Sequence, residues 1–461
     1  MLKYFGTDGF RGKANQDLSV EHAFKIGRFL GFYFGPGSKI VIGKDTRRSC
    51  YMYECALTAG ITASGADAYL MHVTTTPSVS YIARVDDFNC GVMISASHNP
   101  YDDNGIKLLN DQGEKMDDAF LEKVERCIDE QVEGLTDAQG RSCGAEGGLP
   151  LATGEHVGMA VDYASGRNRY IGYLISLATN SYKGVKVGLD CANGSAWMIG
   201  KSVFDAIGAD TYVINNTPNG ENINRDCGST HIEALQSLVK EKKLDVGFAY
   251  DGDADRCIAV DEKGKVVDGD AILYLYGRYM LSRGKLYKDT AVVTVMSNFG
   301  FFKSMERSGI HCEQTDVGDR FVYERMREKG YLIGGEQSGH IIFSKYANTG
   351  DGILTSIKIM QAMLTQKMML SALTGELFYY PQVLKNVRVR DKEETLNDSR
   401  VQAACKAAAD ALGKDGRVLL RKSGTEPVLR VMVEAPTLEI CEQRADEIIG
   451  VIGRCGYLTE A

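Results

Sequence analysis

Residues 39–49 read KIVIGKDTRRS, a β-branched run that breaks into a polar turn. The plan recurs at 185–195, VKVGLDCANGS, and at 291–301, AVVTVMSNFGF. After each run the chain continues through a helix-like stretch to a second strand flanked by glycine: GADAYLMHVTTTP at 65–77, GADTYVINNTPNG at 208–220 and SGIHCEQTDVGD at 308–319. A third apolar strand then runs into ISASHNP (94–100), AYDGDADRC (249–257) or IGGEQSGH (333–340). Strand, helix, strand at this spacing predicts α/β units with crossover helices and a largely parallel sheet. Its recurrence points to an internal triplication. In open α/β sheets ligands gather outside the carboxyl ends of the strands. The three most polar, glycine-rich loops all fall there, at matching places, so one cleft is expected to collect them.

Length agrees with several domains, since 461 residues at roughly 100 to 200 per domain make three or four. The polar, glycine-rich stretch 133–156 reads as a linker. The expected architecture is three similar mixed α/β domains, 1–155, 156–256 and 257–374, plus a smaller C-terminal α+β domain, 375–461, around a central cleft. The last piece departs from the repeat. It runs from strand NVRVR (386–390) through an alanine-rich helix (400–412) and a strand pair, RVLLRKSGTEPVLRVMVEA (417–435), to a helix (438–453).

Composition removes several classes of function. Net charge is -8 and no lysine- or arginine-rich run occurs, so nothing resembles an electrostatic footprint for nucleic acid. The N-terminal MLKYFGTDGFRG lacks the apolar core of a signal peptide, and no stretch approaches the roughly 18 to 20 apolar residues that span a bilayer. A cytoplasmic chain with no membrane partner is expected. The twelve cysteines form no CxxC pair, which argues against a zinc site and a disulfide framework; they read as small buried apolar residues. Apolar helix faces leave room for a homodimer without assigning one to an interface.

Four loops carry chemistry. In DGDADR, Asp251, Asp253 and Asp255 alternate after an apolar strand, a pattern that converges carboxylates on one hard cation. An EF-hand loop shares this acidic spacing with Glu262 as its last ligand, but Arg256 occupies the position where that loop needs glycine. Solvated turn aspartates are the plain alternative. Three carboxylates leave coordination positions open, as Mg²⁺ prefers when it also binds phosphate oxygen. In SASHNP, a serine next to His98, with Lys107 brought back by the DDNG turn, could supply that phosphate; a serine that merely caps a turn is the alternative. In GGEQSGH, Glu336 and Ser338 stand on a glycine-rich backbone that a ligand can approach closely, and such acceptors suit sugar hydroxyls or an amine. In RKSGTEPVLR, Arg421, Ser423, Gly424, Thr425 and Arg430 can form an oxyanion nest, although basic residues in a hairpin are usually only solvated.

Taken in order from FGTDGFRG (5–12) to RKSGTEP (421–427), these motifs cover nearly the whole chain and resemble the α-D-phosphohexomutase superfamily. The resemblance implies a phosphoserine at Ser97, with Mg²⁺ on Asp251, Asp253, Asp255 and the serine phosphate. It implies sugar recognition by Glu336 and Ser338, with Arg256 beside them, and binding of the phosphate not being transferred by the loop around Arg421. Arg11, Lys107 and His98 become the positive or proton-handling groups near the reaction, Lys107 being favoured, alone or with Arg11, for the proton. Three stretches, FGTDGFRG, NINRDCGSTH (222–231) and GGEQSGHIIF, are most similar to the members that interconvert glucosamine 6-phosphate and glucosamine 1-phosphate, feeding UDP-N-acetylglucosamine and cell-wall precursor synthesis. DVGDR (316–320) fits the same members. A glucosamine 1,6-bisphosphate is then the intermediate and an activator, and the C-terminal domain must hinge to let it turn. The alternatives are a phosphomannomutase/phosphoglucomutase of the same superfamily, or a metal-dependent sugar-phosphate phosphatase. A non-catalytic sensor would be expected to lose Ser97 or an aspartate, and neither is lost.

Overall fold

A computed structural model describes residues 2–143, 148–422 and 428–459. Three sheets repeat one topology. In the first, Lys39–Lys44 lies between parallel strands Asp67–Val73 and Cys90–Ile94, and Asp103–Leu109 returns antiparallel beside the latter. In the second, Lys186–Asp190 lies between Asp210–Ile214 and Val246–Tyr250, with Cys257–Asp261 returning. In the third, Thr290–Thr294 lies between His311–Thr315 and Ile333–Gly335, with Ile341–Phe343 returning. The expected triplication is present in the strand order. The largely parallel sheet is corrected to a mixed one. A parallel return needs a crossover of about a dozen residues or more, and the loops after the third strands are too short for it. Each polar loop is therefore the tip of a hairpin.

The central strands are buried along their whole length. Every residue of Cys90–Ile94, Val246–Tyr250 and Thr290–Thr294 is buried, as strands covered on both faces require. Helix starts are set by side chains that accept orphan N–H groups: Thr75 from Ser78, Asp117 from Phe120, Asp268 from Ala271 and Asp351 from Leu354. The cysteines are free thiols and most are buried, as small apolar residues would be.

Two sheets overrun the expected domain boundaries. Ala160–Asp162 pairs with Asp67–Val73 in the first sheet, beyond the boundary at 155/156. Cys257–Asp261 and Val266–Val267 belong to the second sheet, beyond the boundary at 256/257. The polar loop at that boundary lies inside a hairpin rather than between domains.

The chain divides into two compact units, Met1–Met296 with Ile310–Gly375, and Ser297–Gly309 with Glu376–Ala461. The second unit has an antiparallel sheet in the order Gln382–Arg388, Val428–Glu434, Arg417–Lys422. Helices Ser399–Leu412 and Leu438–Arg454 cover it over a core that includes Leu429, Val431, Val433, Ala445 and Ile448. This is the expected α+β layer. It also takes in helix Phe299–Arg307, whose cap Asn298 accepts a hydrogen bond from Tyr380 N at 2.9 Å.

Candidate active site

Ser97 sits at the tip of the first hairpin with φ of 52°, in the left-handed region that non-glycine residues rarely enter. Its buried Oγ donates to Asp251 Oδ2 at 2.5 Å, joining the tips of the first and second hairpins. Ser95 has a different job. Its Oγ donates to Asp45 Oδ2 at 2.7 Å and accepts from Ser97 N at 2.9 Å, so it braces the turn from inside.

Asp251, Asp253 and Asp255 are buried, and one oxygen from each lies within 4.8 Å of the others. That is on the scale of the roughly 4 Å that spans two ligands of one Mg²⁺. Asp253 Oδ1 and Asp255 Oδ1 are buried and, among the described residues, accept no hydrogen bond. Oxygens left this way fit a hard divalent cation. Burial, with Asp255 and Asp253 alongside, pushes Asp251 well above the usual carboxylate range. Burial acts on Asp255 in the same sense, but Lys107 and His340 outweigh it and hold Asp255 well below that range.

Lys107 comes from strand Asp103–Leu109, opposite Met93. Its Nζ lies 2.8 Å from Asp253 Oδ2, 3.3 Å from Asp255 Oδ2 and 3.4 Å from Asp8 Oδ1. Burial alone would lower its pKa, yet Asp253, Asp8 and Asp255 raise it well above the ordinary lysine value. The chain does bring Lys107 back towards the aspartates that flank Ser97, but the turn lies ahead of most of DDNG: Asp103, Asn104 and Gly105 already belong to the returning strand. Arg11 pairs with Asp8, and Asp8, Asp253 and Asp255 outweigh burial to keep it charged. His98 Nδ1 is 3.3 Å from Ser97 Oγ. Burial, then Arg256 and Arg11, pull its pKa down to about 4, so the ring is neutral at pH 7.

The third hairpin tip meets the second. Cys257 N donates to Gly339 O and Gly269 N to Gln337 O, each at 3.0 Å. A Cβ on Gly269 would lie 2.0 Å from Glu336 O, so only glycine allows this approach. Glu336 accepts from Gly318 N at 3.2 Å, and burial followed by Asp319 raises its pKa. Ser338 is exposed. Arg256 N donates to Asp251 Oδ1 at 3.1 Å. His340 Nδ1 is 3.7 Å from Asp255 Oδ1. Burial pulls the His340 pKa down, and Asp319 and Asp255 push it up to about 9; Gly350 N lies 2.9 Å from Nε2.

In the second unit Arg421 and Arg430 stand directly opposite each other on adjacent antiparallel strands. Like charges in that register repel. Ser423, Gly424 and Thr425 lie outside the described residues.

Four consecutive family matches account for most of the chain. They are phosphoglucomutase/phosphomannomutase alpha/beta/alpha domain I over residues 2–134, domain II over 168–264, domain III over 268–379 and the C-terminal domain over 384–451. The chain belongs to the phosphoglucomutase/phosphomannomutase family. It is 60% identical to a phosphoglucosamine mutase of Lachnospira eligens, over 99% of this chain and 100% of the relative. Its fold is similar to that of a phosphoglucomutase/phosphomannomutase family protein of Burkholderia thailandensis, with a TM-score of 0.79 at 22% identity over 99% of this chain and 98% of the other. It is also similar in fold to an Aspergillus fumigatus N-acetylphosphoglucosamine mutase solved with GlcNAc-6P and magnesium, with a TM-score of 0.70 at 19% identity over 99% and 96% of the two chains.

Within this family member the first three hairpin tips bring Ser97, His98, Lys107 and the aspartates together with Arg11 and Arg256. Several neighbours escaped the sequence reading. Thr76 Oγ1 donates to Asp253 Oδ2 at 2.6 Å, and its N to Asp253 O at 3.1 Å. Lys115 bridges Asp8 at 2.9 Å and Asp319 at 2.7 Å, tying the N-terminal loop to the third repeat. The TTTP run and DVGDR were visible as motifs, but nothing local marks them as partners of Asp253 or Lys115.

Proposed function

We propose that the chain is an isomerase that interconverts glucosamine 6-phosphate and glucosamine 1-phosphate by two phosphoryl transfers through Ser97. The observation that carries the chemistry is Ser97 Oγ at 2.5 Å from Asp251 on the edge of three buried aspartates. The aminosugar is supported by 60% identity to a protein named phosphoglucosamine mutase. A Mg²⁺ ion held by Asp251, Asp253, Asp255 and a phosphate on Ser97 would supply charge neutralisation at the transferring phosphoryl group.

In the first transfer the bond from Ser97 Oγ to phosphorus breaks as the free O1 or O6 of the sugar monophosphate bonds to it, giving glucosamine 1,6-bisphosphate. The sugar hydroxyl gives up its proton as Ser97 Oγ, the leaving oxygen, takes one up, so the step conserves protons; Lys107 and Arg11, which we assign to proton handling, stay cationic and steer that transfer. Held cationic by its carboxylate neighbours, Lys107 also draws the phosphoryl oxygens. His98, neutral beside Oγ, orients the serine without adding charge. The bisphosphate turns over, and Ser97 Oγ takes the opposite phosphoryl group, releasing the isomer. Arg256, Glu336 and Ser338 are assigned to the sugar, and Arg421 and Arg430 with Ser423, Gly424 and Thr425 to the phosphate that stays. Glu336, near Arg256, has the acceptor character that suits an amine.

The test is a substrate panel of glucosamine, glucose and mannose phosphates, each primed with its 1,6-bisphosphate and compared by kcat/KM. Preference for the aminosugar is expected, and preference for glucose or mannose phosphate would instead mark a phosphomannomutase/phosphoglucomutase. Ser97→Ala should abolish bisphosphate-dependent turnover; turnover near the normal rate would overturn the mechanism. Release of inorganic phosphate as the main product would identify a phosphatase.

A further inference from the structure

The reactive serine is gripped by its own backbone from three sides. Arg47, in the polar turn after the first strand, is buried and donates through Nε to Asp45 Oδ2 at 2.8 Å. Its Nη2 donates to Ser97 O and to Asn99 O, both at 2.9 Å, and its Nη1 reaches Asp103 O at 3.1 Å and also Pro100 O. Asn224 arrives from the second repeat, in the NINRDCGSTH stretch, and donates Nδ2 to the same two carbonyls, Ser97 O at 2.8 Å and Asn99 O at 3.0 Å. Gly252 closes the third side, because a Cβ there would lie 2.4 Å from Ser97 O.

Apart from the Arg47–Asp45 pair, each of these contacts is to backbone, and that defines their role. Left-handed backbone is unfavourable for a non-glycine residue, so the φ of 52° at Ser97 persists only where surrounding contacts hold it. Relaxation to negative φ would swing Oγ away from Asp251. Arg47 fills the turn with charge-assisted donors that one loop could supply for itself. Asn224 adds something Arg47 cannot: it ties the serine turn to the repeat that carries the aspartates, which fixes Oγ relative to their oxygens.

We infer that Arg47 and Asn224 are positioning residues that hold Ser97 in its left-handed conformation and set its Oγ against the three-aspartate cluster. This rests on Ser97 being the phosphoryl carrier. Asn224 is itself left-handed, with φ of 57°, so Asn224→Gly removes the side chain without straining the backbone. A misplacement of about 1 Å can cost a factor of about 100 in rate. Asn224→Gly is therefore expected to lower kcat by about tenfold or more, while KM for glucosamine 1-phosphate stays within about twofold. Single-turnover transfer from enzyme phosphorylated on Ser97 should slow in parallel. Arg47→Lys, which keeps the charge but cannot fork to four carbonyls, should show the same split between kcat and KM. Unchanged kcat in both variants, with Ser97→Ala inactive, would overturn the inference alone. Loss of kcat matched by an equal rise in KM and a lower Tm would also overturn it, since that pattern marks general destabilisation. Activity retained in Ser97→Ala would instead overturn the reading of Ser97.

Discussion

Between the two serines of SASHNP, the difference is one of hydrogen-bond partners. Ser95 spends its hydroxyl inside the turn on Asp45 and on the N–H of Ser97, whereas Ser97 turns its hydroxyl out to Asp251. The carboxylates that distinguish them, Asp45 and Asp251, are far away in sequence, so residue type alone could not separate the pair; resemblance to a known family did. Glycine matters in the same way at 252, where the second hairpin tip passes within touching distance of the Ser97 carbonyl. Gly252→Ala is expected to displace the serine turn and lower kcat by roughly 100-fold, with the fold intact by circular dichroism. Near-normal turnover would show that the turn absorbs a methyl group without moving Oγ.

Elements repeat more faithfully than residues do. All three repeats end their third strand in a short polar hairpin, and this puts Ser97, Asp251 and Glu336 at equivalent tips. The parallel strands were legible as apolar runs with helical spacers; the returning strands were not, because their direction follows from loop length rather than from pattern. Helix Gly352–Gln366 shows what burial does to one of its signals. Its cap Asp351 accepts from Leu354 N at 2.9 Å and from Tyr170 Oη at 2.7 Å. Burial nevertheless raises its pKa from 3.8 to about 6. The folded state thus binds a proton more tightly than the unfolded chain, and the stabilisation present below about pH 4 is lost as pH rises to 6. The rise corresponds to roughly 3 kcal/mol. Asp351→Asn, which can still cap the helix, should flatten the stability profile between pH 4 and 6 in denaturant unfolding. An unchanged slope would place that titration elsewhere.

At the scale of the molecule, charges of both signs gather in one place. Three buried aspartates converge, and Lys107 and Arg11 offset them from other elements while Arg256 does so from the same loop. A divalent cation that binds only the folded state should stabilise it by about 2.7 kcal/mol at a hundredfold excess over Kd. In calorimetry Mg²⁺ is expected to raise Tm of the unit carrying the aspartates by on the order of 5 °C, and Asp255→Ala should abolish the rise. Equal rises in both proteins would move the cation away from DGDADR. The sequence by itself determined the three strand-helix-strand repeats, the polar loops at matching strand ends and the acidic, serine and glycine chemistry of those loops, because apolar periodicity and turn residues act locally. Only the tertiary structure decided which groups meet. Ser97 and Asp251 are 154 positions apart, Lys107 and Asp253 are 146 apart, and Asn224 reaches Ser97 across 127. Contacts at such separation depend on how the repeats dock, and no run of neighbouring residues encodes that geometry.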